Sequence, residues 1–155
     1  MASTSTDSTT KTSAQATTNT LTGTNTRTNR NRRIFAILSG LTALGIILQG
    51  LWAGIFLSYD ERPDSWIEIH DAGAWVTLTL AILSAAWAVW KLRGDKVLWI
   101  ASVALAIIVA GEAHLGGTIT DQGNDGATAI HVPVAMVLLA LSVWLPMRAR
   151  RNTSA

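Results

Sequence analysis

Four apolar runs, each long enough to cross a bilayer and joined by short polar connections, leave this chain few folds. A hydrocarbon core of about 30 Å takes about 20 residues at 1.5 Å per residue, and inside it every backbone N–H and C=O must be bonded within the segment. The first run, IFAILSGLTALGIILQGLWAGIFLSY, covers 34–59, and the others cover about 67–90, 97–115 and 130–147. The connections YDERPDSW, KLRGDK and GGTITDQGNDGATA make consecutive helices antiparallel neighbours. The expected fold is therefore all-α, an integral membrane four-helix up-down bundle over residues 34–150. Pro63, Gly116-Gly117, Gly123 and Gly126 supply the turn chemistry.

Residues 1–33 differ in kind. They form a Ser/Thr/Asn tract with too little apolar surface to offset its ordering entropy, which predicts a disordered N-terminal tail. The tail ends in the basic cluster Arg27, Arg30, Arg32 and Arg33. The apolar run behind it exceeds a signal-peptide core, so it reads as an uncleaved first helix.

Charge sets the orientation. Every Lys and Arg except Arg62 lies in the tail, the KLRGDK connection or the MRARR end, while every acidic residue except Asp7 and Asp95 lies toward the other side. The positive-inside bias predicts a multi-pass cell-membrane protein with both termini cytoplasmic. Trp87, Trp90, Trp99 and Trp144 fall at the cytoplasmic interface and Tyr59 and Trp66 at the outer one, as aromatic belts do. With 49% apolar and 14% charged residues the composition excludes a water-soluble domain of this size. The absence of cysteine excludes disulfides, thiolate metal sites and covalent c-type haem. No phosphate-binding glycine loop, nucleophile elbow or zinc-protease motif is present, and the expected partner is the lipid bilayer, with no nucleic acid.

All the histidines, His70, His114 and His131, fall at the extracytoplasmic end. At 1.5 Å per residue they stand about 31 Å from Lys91, 27 Å from Lys96 and 25 Å from Arg148 respectively. Imidazoles at one depth of a bundle point to a bound haem or metal, although each also fits a solvated helix end, His70 beside Asp71 and His131 just before Pro133. Gln49 and Glu112 lie deeper in apolar sequence, where a carboxylate is protonated, paired or in a wet cavity. Glu112 and His114, two apart, face about 200° away from each other on a helix, yet a zinc or copper site from His70, His131 and either Glu112 or His114 stays open. Asp121, Asn124 and Asp125 read as a solvated turn, short of the ligand count for calcium.

A weak internal echo runs through the chain. LQGLWAGIFLS precedes EIHDAGAW, and VAGEAHLGGTIT precedes AIHVPVAM, so each half is a helix closing on a polar residue among small ones, then a helix opening on Ile-His. A pseudo-repeat of this kind makes His70 and His131 equivalent on the second and fourth helices.

These residues resemble one four-helix half of the heme A synthase family, and also a group of small four-helix bacterial membrane proteins with the same layout. The resemblance implies His70 and His131 as axial ligands of a haem, here haem b, with Gly116 and Gly117 matching a glycine pair at the outer end of the third helix and Ala135 in the small-residue stretch after the fourth-helix histidine. Where the family typically has Arg after the second-helix histidine and Glu three before it, this chain has Asp71 and, two before, Glu68. Glu68, Asp71, Glu112 and backbone carbonyls are the expected acceptors for the ligands' other ring nitrogens, and Gln49 is a further polar neighbour. His114 and Glu112 are expected near the propionates or at an exchangeable site. Because the synthase is usually a duplicated eight-helix protein, a homodimer through Gly50 and Gly54 is also expected. Two functions follow: a haem protein exchanging electrons with quinone or a respiratory partner, or handling haem; and a cofactor-free subunit or scaffold of a larger complex.

Overall fold

A computed structural model describes residues 7–60, 64–122 and 125–151, with the backbone alone for 7–25, 120–122 and 125. The chain forms α1 (Asp7–Leu57), α2 (Asp64–Lys91), α3 (Lys96–Gln122), a 3-10 turn (Asp125–Ala127) and α4 (Thr128–Arg151). All four α-helices are long and apolar enough to cross a membrane, the first through Thr26–Leu57. This is a small, multi-pass, all-α integral membrane protein. At most 28% of any apolar window is buried within the bundle, which leaves the rest to face lipid.

α1 and α3 each pack against both α2 and α4, so α2 and α4 stand on one diagonal of the bundle and α1 and α3 on the other. The buried apolar cluster is confined to the end that carries the basic residues. Phe35, Ala88, Leu92, Leu98, Leu145 and Ala149 belong to it, and it reaches no farther toward the histidines than Val109 and Leu138. Three buried hydroxyls inside the bundle bond carbonyls of their own helices: Ser39 to Phe35 at 2.8 Å, Thr77 to Gly73 at 2.8 Å, and Ser102 to Leu98 at 2.6 Å. Satisfied locally, they can pack as small residues do. At Gly45 a Cβ would lie 2.6 Å from Thr77 Oγ1, so glycine sets the approach of α1 to α2.

Asp95 organises the basic end. Its carboxylate accepts from Leu98 N–H at 3.2 Å and so caps α3. It also accepts from Arg32 at 3.1 Å and lies 3.6 Å from Arg148, tying α1 and α4 to the turn between α2 and α3. Trp87 adds a bond from its indole N–H to the Asn31 carbonyl at 3.1 Å.

The helices depart from sequence expectation in two places. First, α3 continues through Gly116 and Gly117 to Gln122, so this pair is helical and makes no turn. Second, α4 starts at Thr128 after the 3-10 turn, which puts Pro133 in its second turn instead of its first. The Pro63, Arg62, Gly123 and Asn124 expectations lie outside the described residues, as do the side chains of Asp121 and Asp125. Gly50 and Gly54 have nothing within 4 Å of a Cβ built on either, leaving that face of α1 open.

Candidate functional site

The end of the bundle away from Asp95 is polar inside, and each of the four helices contributes one group to it. Gln49 of α1 reaches α2. With its amide oriented to satisfy both ends, the nitrogen donates to the His70 carbonyl at 2.9 Å and to His70 Nδ1 at 3.1 Å, and the oxygen accepts from Ala74 N–H at 3.1 Å. The amide therefore spans one turn of α2 from carbonyl to N–H. Gly73 makes this possible, because a Cβ there would collide with the side chains of Gln49 and Trp52. On the other side of His70, the Phe56 ring meets the imidazole edge-to-face, with centroids 5.5 Å apart.

The second pair repeats this arrangement across α3 and α4. Glu112 is 8% exposed, and its Oε2 lies 2.9 Å from His131 Nδ1. Both atoms are shielded from solvent, and neither has an aligned hydrogen bond, so the contact is a close approach off the axis of the ring N–H. Gly116, one helical turn beyond Glu112 on the same face of α3, lets the imidazole lie against the helix: a Cβ there would be 3.7 Å from His131 Cε1. Of the glycine pair expected to turn the chain, Gly116 instead provides the surface on which a histidine rests.

In each half, a polar side chain from the odd-numbered helix meets Nδ1 of the histidine on the next helix. The other sequence-derived residues stay apart from these pairs. His114 is exposed on the opposite face of α3 from Glu112, and Glu68 and Asp71 are exposed on α2, so neither of these two is the acceptor for His70. Among the described residues no three His, Asp or Glu side chains gather as a metal site, which removes the geometry for zinc or copper held by His70, His131 and Glu112 or His114. Trp52, Phe56 and Gly73 are members of the site that sequence reasoning did not single out. Gly73 alone carried a signal, standing three residues after His70 and thus on a neighbouring part of the same face.

The donors can be tested against a noncovalent haem. Ligation through Nε2 needs a proton on Nδ1 and an acceptor facing it. At His131 the Glu112 carboxylate is close enough to be that acceptor but lies off the N–H axis, so it must swing onto it. At His70 the Gln49 NH2 group donates to Nδ1, which assigns the proton to Nε2, so ligation there requires the amide to turn over and present its oxygen. The donor set fits two imidazole ligands only with these two side-chain adjustments. No protein-family model, curated protein or solved structure matches the chain.

Proposed function

We propose that this membrane protein holds a b-type haem at the histidine end of its bundle, on His70 and His131, to exchange electrons with quinone or a respiratory partner or to handle haem. The observation that carries the reading is the repeated pairing, in which each histidine of the α2–α4 diagonal has a polar side chain at Nδ1 supplied by the preceding helix. A partner that accepts from Nδ1 fixes ring orientation and raises ligand basicity, which Gln49 does once its amide turns over and Glu112 once it aligns with the ring N–H. When bound, the haem would supply a one-electron couple. Gln49 and Glu112 then orient the imidazoles, Gly116 makes room for one ring and Phe56 limits the tilt of the other. On this reading the resemblance to one half of a heme A synthase reflects haem binding.

A second reading rests on the Gln49 amide. As it stands, it favours the His70 tautomer that does not ligate iron through Nε2, and both polar pairs then act as clamps between helices of a cofactor-free subunit or scaffold. The visible spectrum separates the two. Protein produced with ample haem and purified in mild detergent should show a Soret band with sharp reduced α and β bands, and a colourless preparation rejects the haem assignment.

We further propose that both termini are cytoplasmic and the histidine end faces outward across the cell membrane, from the confinement of every Lys and Arg but Arg62 to one end. A reporter fused after Arg151 should read as cytoplasmic, and one inserted between α3 and α4 as extracytoplasmic. The reverse pattern would put the histidines on the cytoplasmic side.

A further inference from the structure

At the basic end a cleft of about 570 Å³ opens between the start of the first span and the end of α4. Arg30, Arg32, Arg33 and Arg150 line it together with Asn29, and Ile37 forms part of its apolar floor; among the described residues no acidic one lines it. Arg32 is already engaged, donating through Nη2 to Asp95; Arg30, Arg33 and Arg150 are the further guanidiniums that line the cleft.

We propose that this cleft binds the phosphodiester headgroup of an anionic phospholipid. The chemistry and the position agree. Guanidinium forks match phosphate oxygens in paired hydrogen bonds, and four of them around one cleft favour a group with net negative charge. The cleft straddles the change from Arg33 to Ile34 and Phe35, where polar sequence gives way to apolar. Its arginines therefore lie at headgroup level, with Ala36 and Ile37 placed deeper for the glycerol and acyl chains. A zwitterionic lipid would bring its own ammonium among the arginines. A dissolved phosphate would leave the apolar floor uncovered.

Native mass spectrometry of the full chain, released from detergent containing equal amounts of phosphatidylglycerol and phosphatidylcholine, tests this. Phosphatidylglycerol should be retained over phosphatidylcholine by at least about tenfold, given the size of basic-residue contributions at a lipid surface. The triple substitution Arg30→Gln, Arg33→Gln and Arg150→Gln should bring retention near parity. Arg93→Gln with Lys96→Gln, at the same end but outside the cleft, should leave the preference intact. Parity in the unaltered protein, or a preference surviving the triple substitution, would overturn the proposal. So would displacement of the lipid by an equal concentration of sn-glycerol 3-phosphate, which would mark a site for a free anion. Circular dichroism checks that the triple variant stays helical; if it does not, Arg150→Gln alone is measured, with a fall of at least about threefold expected.

Discussion

Replacing Asp95 by Ala should destabilise the bundle by about 3–5 kcal/mol, the range for breaking a buried ion pair from one side. The carboxylate is 10% exposed and Arg32 beside it 14%, so the substitution leaves a largely desolvated guanidinium without its anion. It also removes the cap on α3, a loss of about 1 kcal/mol by itself. Asp95→Asn keeps an acceptor for Leu98 N–H and should cost less. Arg148→Leu should cost least, at about 1 kcal/mol or below, because Arg148 is 33% exposed and 3.6 Å away. Reversible unfolding in mixed micelles would rank the three. Burial pushes the Asp95 carboxyl up, but the Leu98 N–H and then Arg32 and Arg148 outweigh it and hold the group below the ordinary Asp value. The folded state thus favours the charged form. The contribution is complete at neutral pH, begins to fade as pH falls past the unfolded value of about 3.9, and is lost below the folded one. Asp95→Ala should therefore differ from the unaltered protein at pH 7 and converge with it in strong acid. A difference that does not change with pH would sink the electrostatic account.

That clamp was hidden in the sequence, although the bundle was not. Apolar length and the lack of alternatives for a backbone in hydrocarbon make four spanning helices a direct consequence of the runs beginning near Ile34, Ile67, Val97 and Ile130. The contact of Arg32 with Asp95 joins residues 63 apart, and no local pattern distinguishes Asp95 from any acidic loop residue. The histidine end was legible in part, because the Ile-His echo made His70 and His131 equivalent positions, each on a helix that follows one closing on a polar residue. What it did not show was which helix each ring leans on. Glu68 and Asp71 lie near His70 in sequence, but neighbours one and two positions away on a helix point elsewhere, so the partner comes from α1. Gly116-Gly117 misled for a related reason. Glycine serves a turn through its backbone freedom and a helix contact through its missing Cβ, and only the presence of His131 opposite separates the two uses.

His131→Ala and His70→Ala should each abolish a low-spin two-histidine spectrum while leaving the protein inserted, because insertion depends on apolar length and neither residue contributes to it. His114→Ala, on the exposed face of α3, should leave the spectrum unchanged. The partners discriminate further. Glu112→Leu and Gln49→Leu remove the group at Nδ1 without touching the ligating nitrogen, so each should keep the spectrum but weaken haem retention by about 10- to 100-fold. If the pairs are clamps in a cofactor-free protein, the pattern is different. There is then no spectrum to lose, and Glu112→Leu or His131→Leu alone should each cost about 1–3 kcal/mol by stranding a buried partner. The double substitution should recover part of that loss, since two apolar side chains can pack where two polar atoms lacked an aligned bond. Spectrum and unfolding measured on the same four proteins, unaltered, Glu112→Leu, His131→Leu and the double, thus decide between a haem site and a helix clamp. A spectrum that survives the loss of both His70 and His131 would exclude these histidines as the ligands.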